Sequence, residues 1–458
     1  MFAFLKQKPG FYKQVVLLAM PIVLQNLITS ALGMADTFMV GMLGEVPMAA
    51  VTLANIPLFA VQMFIFGVQS GSSVLVSQYW GKQEMESINR VLGVALWVVL
   101  LVSSLFAAIL LVCPVEFLSL FGNEPEVIEM AAQYGSIAGM SYVCNAFTMM
   151  YVAAYRSMER PQLGLYILVA SMTVNTFLNW VFIFGKLGAP AMGVRGAAVA
   201  TLTARLLEVT IVVLHMMKNR FFRVHLHLLL RPGMDMTRRF LKYGGLVVCN
   251  ETMWGMGTSV FPTIMGHMAN STEILAAYTI AGNMEKITMV VSFGLASTAS
   301  IIIGREIGAG RPDKVLDVGK ALNTLACAGG VVLGVLLLAF VQFAAPAWVY
   351  PLFKLSPGSA GVASMMMVMM ALAMPLKDFN SVNITGVLRG GGDVKAATLV
   401  DIGPLWGVAI PFAALCGLVL KTSVFWVYLA FPLEQAVKFF AGIHRLRSGR
   451  WVRDLTRA

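Results

Sequence analysis

The chain has 458 residues, of which 58% are hydrophobic and only 12% charged, with a formal net charge of +11 and a mean hydropathy of +0.79. That balance excludes an ordinary soluble domain, where about 25% of residues are charged. It leaves no hydrophilic block long enough to fold separately.

Apolar runs long enough to cross a bilayer, about 20 residues each, recur from end to end. They fall at 15–40, 48–77, 91–113, 127–155, 162–185, 194–217, 243–269, 276–303, 321–345, 362–388, 396–418 and 422–443. The first is too long for the core of a signal peptide and lacks an A-x-A cleavage site, so it is read as the first spanning helix. It carries Asn26, Thr29, Gly33, Asp36 and Val40 at the spacing of one helix face, which suits a polar cavity better than lipid. The fifth run adds Ser171, Asn175 and Asn179 at i, i+4 and i+8. These residues either hold a proton or cation with Asp36, or bind helices together through their amides. In the sixth run Arg205 and Glu208 are three residues apart and are expected to neutralise each other.

Residues 218–240 form a basic linker with Arg231-Pro232-Gly233 and a short amphipathic helix expected at Met236–Tyr243. The seventh run then carries Asn250, Glu251, Thr258 and Pro262. In the tenth, Pro375 precedes Lys377, Asp378, Asn380, Ser381 and Asn383. Proline displaces the carbonyl of the residue four earlier, here Ala371, and freed carbonyls beside a carboxylate coordinate cations in some transporters. Glu251 and Asp378 are therefore expected to share one site for Na⁺ or a proton, with Lys377 setting its electrostatics. The plainer alternative pairs Lys377 with Asp378, or Lys286 with a neighbouring acid, as structural bridges. A carboxylate near the bilayer centre costs about 2.5–3.5 kcal/mol by insertion scales, so Asp36, Glu251 and Asp378 together point to transport.

The charge distribution sets the topology. When alternate loops are assigned to opposite sides, Lys186, Arg195, Lys354 and Lys421 fall on one side, and Arg205, Lys286 and Lys377 lie within helices. The other 26 of the 33 basic residues, with the tail from Lys438 to Arg457 among them, share the side of both termini. The positive-inside rule places that side in the cytoplasm. The surplus is thus a topology signal with attraction to anionic lipid, and no nucleic-acid partner is expected. Cys113, Cys144, Cys249, Cys327 and Cys416 are scattered through apolar runs and read as packing residues. His225 and His227 lack further clustered ligands for a metal. With no GxxxxGK[ST] loop the chain is not read as an ATPase, and no clustered catalytic groups suggest an enzyme.

The two halves repeat. A shift of 227 positions aligns Ala49–Gly81 with Ala276–Gly308 and matches, among others, Phe66/Phe293, Gly67/Gly294, Ser70/Ser297 and Gly81/Gly308. Arg156 similarly parallels Arg389. Six helices per half give both halves the same orientation. The expected fold is an all-α membrane protein of twelve transmembrane helices in two parallel-repeat six-helix bundles around a central cavity. Its lobes are 1–217 and 241–458, joined by 218–240.

Several stretches carry a family resemblance. Met20-Pro21, Ala35-Asp36-Thr37-Phe38-Met39-Val40-Gly41, Ala49-Ala50-Val51, Gly188–Gly196 and Val387-Leu388-Arg389-Gly390 resemble multidrug and toxic compound extrusion (MATE) transporters of the NorM/DinF-like branch. The likeness runs to Arg447–Trp451 near the end. It implies an inner-membrane antiporter expelling organic, amphipathic compounds in exchange for Na⁺ or H⁺. Asp36 would be the acid of the first lobe, with Glu251 and Asp378 forming the cation site, Na⁺ included, of the second. Asn175, Asn179, Asn250 and Lys377 would line the cavities. Asn179 stands where some relatives have an acid. No cofactor is implied, small organic substrates and lipids are the partners, and a monomer is expected. A lipid-linked oligosaccharide flippase of the wider superfamily is the alternative. A major facilitator is disfavoured because Gly81–Glu86 lacks the G-x-x-x-D-R-x-G-R pattern.

Overall fold

The computed structural model describes residues 9–121, 124–219, 221–353 and 355–456. Twelve long helices follow one another. They are α1 (Pro9–Gly41), α2 (Glu45–Lys82), α3 (Met85–Val112), α4 (Pro125–Ser157), α5 (Gln162–Phe184) and α6 (Val194–Lys218), then α7 (Met234–Gly266), α8 (Ser271–Gly308), α9 (Pro312–Val349), α10 (Pro357–Leu388), α11 (Val394–Val419) and α12 (Val424–Arg447). Every apolar run lies on one of them. Helices dominate because a bilayer offers no water to satisfy backbone N–H and C=O groups, and a helix satisfies its own. Apart from one isolated bridge between Gly392 and Val452, the described residues hold no β structure.

Eleven of the helices are long and apolar enough to cross a membrane, which makes the chain a multi-pass membrane protein. The twelfth, α7, carries Asp235, Arg238, Arg239, Lys242, Asn250 and Glu251 within its first 18 residues, which dilutes its hydropathy. The separate amphipathic helix expected at Met236–Tyr243 is not separate, because those residues form the first turns of α7. The duplication is visible in element lengths. Helices α1 and α7 have 33 residues each, and α2 and α8 have 38 each.

The chain divides into two compact units, one of Leu24–Val248 and the other of residues through Val23 together with those from Cys249 onward. Helices α1 and α7 therefore each begin in one unit and end in the other. In the first unit, the start of α7 packs against α2 so closely that a Cβ on Gly71 would lie 2.7 Å from the Gly244 Cα. Arg239 Nη1 also donates to Tyr79 Oη at 3.0 Å. In the other unit, Val15 and Leu18 of α1 join an apolar cluster with Ala299, Ile303, Val382 and Trp451.

The linker is anchored on α3. Asn89 donates to the Arg223 carbonyl at 3.1 Å and accepts from the His225 amide at 3.0 Å. A short helix at Leu226–Leu230 rests on Gly93, where a Cβ would sit 2.7 Å from the Leu229 carbonyl oxygen. The end of the chain docks likewise. Trp451 is fully buried and donates to the Leu446 carbonyl at 3.0 Å, while Arg445 and Arg453 reach Asp393.

Candidate functional site

Within the Leu24–Val248 unit, the polar face of α1 meets that of α5. Asn179 Nδ2 donates to Asp36 Oδ1 at 2.7 Å and lies 3.4 Å from Asn175 Oδ1. Asn175 Nδ2 in turn lies 3.5 Å from Thr201 Oγ1 on α6. The 3.6-residue period of α5 puts both amides on one buried face. Among the described residues Asp36 has no ion-pair partner, and Asn179 Oδ1 is buried without a donor. The cluster is thus rich in acceptors and short of protons, an arrangement open to a proton or a metal cation. Arg205 and Glu208 form the expected pair at 2.7 Å.

The other unit contains a cavity of about 470 Å³ walled by α7, α8, α10, α11 and α12. Its charges lie far apart in sequence and pair across helices. Arg389 Nη1 meets Glu251 Oε1 at 2.6 Å, and Arg389 Nη2 lies 3.9 Å from Asp401 Oδ2. Lys438 Nζ bridges Asp401 Oδ1 and Glu434 Oε1 at 2.7 Å each. Asn250, fully buried, donates to Asp401 Oδ2 at 2.9 Å. Lys377 Nζ reaches Glu285 Oε1 at 2.7 Å and sits 5.6 Å from the Phe431 ring centroid.

Three expectations change here. Lys377 does not pair with the adjacent Asp378; it binds Glu285, while Asp378 Oδ1 accepts from Ser292 Oγ at 2.5 Å. Glu251 and Asp378 accordingly have different partners, an arginine for the first and a neutral hydroxyl for the second. Lys438 does not belong to a cytoplasmic tail; it is 4% exposed and holds two acids together. The Ala371 carbonyl, deprived of its donor by Pro375, packs on α9. A Cβ on Gly334 would lie 2.6 Å from its oxygen, so Gly334 makes room for it.

Arg389 owes its position to a local irregularity. Helices α4 and α10 begin on prolines 232 residues apart, Pro125 and Pro357, whereas Arg156 and Arg389 are 233 apart. The added residue is absorbed where Val382–Leu388 widens to a π-helix, which replaces i→i+4 bonding by i→i+5. A simple insertion would turn every later side chain by about 100°; the π segment takes up that turn and presents Arg389 to Glu251.

Asp401, Glu434 and the bridging role of Lys438 were not singled out from sequence, and Glu285 was noted only beside Lys286. Glu434 and Lys438 are spaced i, i+4 inside an apolar run, and Asp401 interrupts another; those were the available signals. All five cysteines are free thiols. Among the described residues no three His, Cys, Asp or Glu side chains cluster as metal ligands, and the His225 and His227 rings stand 6.5 Å apart.

A duplicated bundle of apolar helices with acids held between the helices defines a multi-pass membrane protein with polar sites inside it. The MatE sequence model matches twice, over residues 21–181 and 245–415, once in each half. The chain belongs to the MatE family of multidrug and toxic compound extrusion transporters. It is 24% identical over 443 residues to the "Uncharacterized transporter YisQ" of Bacillus subtilis, covering 95% of this chain and 94% of that one. It is 22% identical over 411 residues to the "Probable multidrug resistance protein NorM" of Thermotoga maritima, covering 89% and 86%. The crystal structure of the eukaryotic MATE transporter AtDTX14 superposes with a TM-score of 0.84 at 17% identity over 99% of this chain and 98% of that one.

Proposed function

We propose that the protein is a secondary active antiporter that exports organic, amphipathic compounds in exchange for inward Na⁺ or H⁺ by alternating access. In this reading it works as a monomer in the inner membrane, with both termini cytoplasmic and no bound cofactor. One observation carries the proposal. Asp36 is a carboxylate within a membrane helix, met by an amide but by no described cation, beside the buried and donorless Asn179 Oδ1. A charge so placed is costly and marks ion pathways.

The chemistry follows from the donor count. With Asp36 ionised, Asn179 Nδ2 is its donor. A protonated Asp36 becomes a donor itself and has an acceptor waiting in Asn179 Oδ1, so the bond between α1 and α5 reverses. A metal cation would use the same oxygens together with Asn175 Oδ1 and Thr201 Oγ1. Either event changes what joins α1 to α5. Because α1 runs from one unit into the other, its bonding is suited to bias a two-state rearrangement. Asp378, bonded only to Ser292 among the described residues, is the matching candidate in the other unit. Glu251, neutralised by Arg389, supports that wall. The relatives' names, which include multidrug resistance proteins, support the substrate class.

The test is efflux of an organic dye from proteoliposomes with Na⁺ and pH gradients imposed separately. Acceleration by either gradient is expected, and a rate indifferent to both would refute antiport. For the topology, a cysteine at Glu124 should react with an impermeant reagent from outside the cell. Labelling only from the cytoplasm would overturn it.

A further inference from the structure

The four carboxylates on the wall of the cavity lined by α7, α8, α10, α11 and α12 are already engaged. Glu251 is met by Arg389, Glu285 by Lys377, and Asp401 and Glu434 by Lys438. One wall cation is different. Lys286 lines the cavity and forms no ion pair among the described residues. It is the sixteenth of the 38 residues of α8, about 22 Å from the first residue at 1.5 Å per residue, well away from the ends where lysines reach polar head groups. The side chain is exposed and faces the open cavity, so its ammonium is available to a solute there, whereas the other wall cations are taken up by carboxylates. The remaining wall is largely aromatic, with Trp254, Phe261, Tyr278, Phe293 and Phe431.

We propose that this cavity binds organic anions with an aromatic or apolar body, the carboxylate or sulfonate resting on Lys286 and the body on the rings. The cavity of about 470 Å³ is within the range of small-molecule sites. An organic cation meets the opposite conditions. To reach a carboxylate on the wall it must displace Lys377, Lys438 or Arg389, and Lys286 repels it there. As a statement about cargo, the inference rests on the exporter reading; as a statement about binding, it stands apart from it.

Calorimetric titration of the purified protein with two size-matched probes, 2-naphthalenesulfonate and 2-naphthyltrimethylammonium, tests it. The sulfonate should bind about tenfold tighter, the scale of one charge-assisted hydrogen bond, and added salt should weaken it. Lys286→Met should lower sulfonate affinity about tenfold without weakening the ammonium probe, Lys286→Arg should keep the preference, and Lys286→Glu should reverse it. An unchanged thermal midpoint establishes that each variant is folded. If the methionine variant does not fold, the salt dependence and the arginine variant carry the test. Tighter binding of the ammonium, equal affinities, no binding of either probe, or a sulfonate affinity indifferent to salt and to Lys286→Met would overturn the proposal. Sulfonate bound through Lys286 in a protein whose organic-dye efflux is indifferent to both gradients would uphold this site and refute the exporter reading.

Discussion

The Arg389–Glu251 pair offers the sharpest test of how the second cavity is held. The guanidinium is 1% exposed, the carboxylate 12%, and they meet at 2.6 Å. Arg389→Met keeps much of the apolar stem but strands Glu251 as a buried anion, and breaking such a pair from one side costs about 3–5 kcal/mol. Glu251→Gln is milder. Its amide oxygen still accepts from Arg389, which retains Asp401 at 3.9 Å, so the loss is that of one charged hydrogen bond, about 1.5–3 kcal/mol. The double variant strands neither charge. It should be no less stable than Arg389→Met alone, a coupling of about 1–3 kcal/mol. Thermal unfolding in detergent, followed by intrinsic fluorescence, ranks the four proteins. A double variant whose loss equals the sum of the single losses, within about 0.5 kcal/mol, would refute the pairing.

Lys377→Met removes the cation held by Glu285, one residue from Asp378; Na⁺ binding to the purified protein should strengthen by about tenfold, or 1.4 kcal/mol, and an unchanged affinity would show that Lys377 does not set the field there. Gly334→Ala should destabilise by about 1–3 kcal/mol as an overpacked contact, since its Cβ would press on the Ala371 carbonyl at 2.6 Å. Gly329→Ala, with nothing within 4 Å, serves as the control in the same unfolding assay; equal midpoints for the two variants would contradict the close approach of α9 and α10.

What the sequence revealed depended on the range of the signal. The twelve helices were legible because a spanning segment must be apolar over its own length, a local property. The duplication was legible because α2 and α8 keep the same length and spacing. The Asp36–Asn179 contact was approached correctly from helical period alone, since Gly33 and Asp36 define one polar face and Asn175 and Asn179 another. The second cavity was not. Apart from Glu434–Lys438 at i, i+4, its ion pairs join residues from 12 to 138 positions apart, and no helical period reports on such distances. Attention to Lys377-Asp378 as neighbours in sequence obscured that the backbone turns them toward Glu285 and Ser292. The π segment at Val382–Leu388 was likewise hidden, although the extra residue between Pro357 and Arg389 was countable. Lys438 was assigned to the tail because the basic run following it is continuous in sequence.

The central claim is that Asp36 couples an inward ion to export, and one measurement addresses it. Wild-type protein and Asp36→Asn are reconstituted at equal density, and organic-dye efflux is followed under a Na⁺ gradient and then a pH gradient. The amide keeps the shape and a bond to Asn179 but neither exchanges a proton nor offers a full charge to a cation. The account predicts that gradient-driven efflux is lost in Asp36→Asn while its thermal midpoint and dye binding are retained. Gradient-driven efflux at the wild-type rate from the folded variant would contradict it.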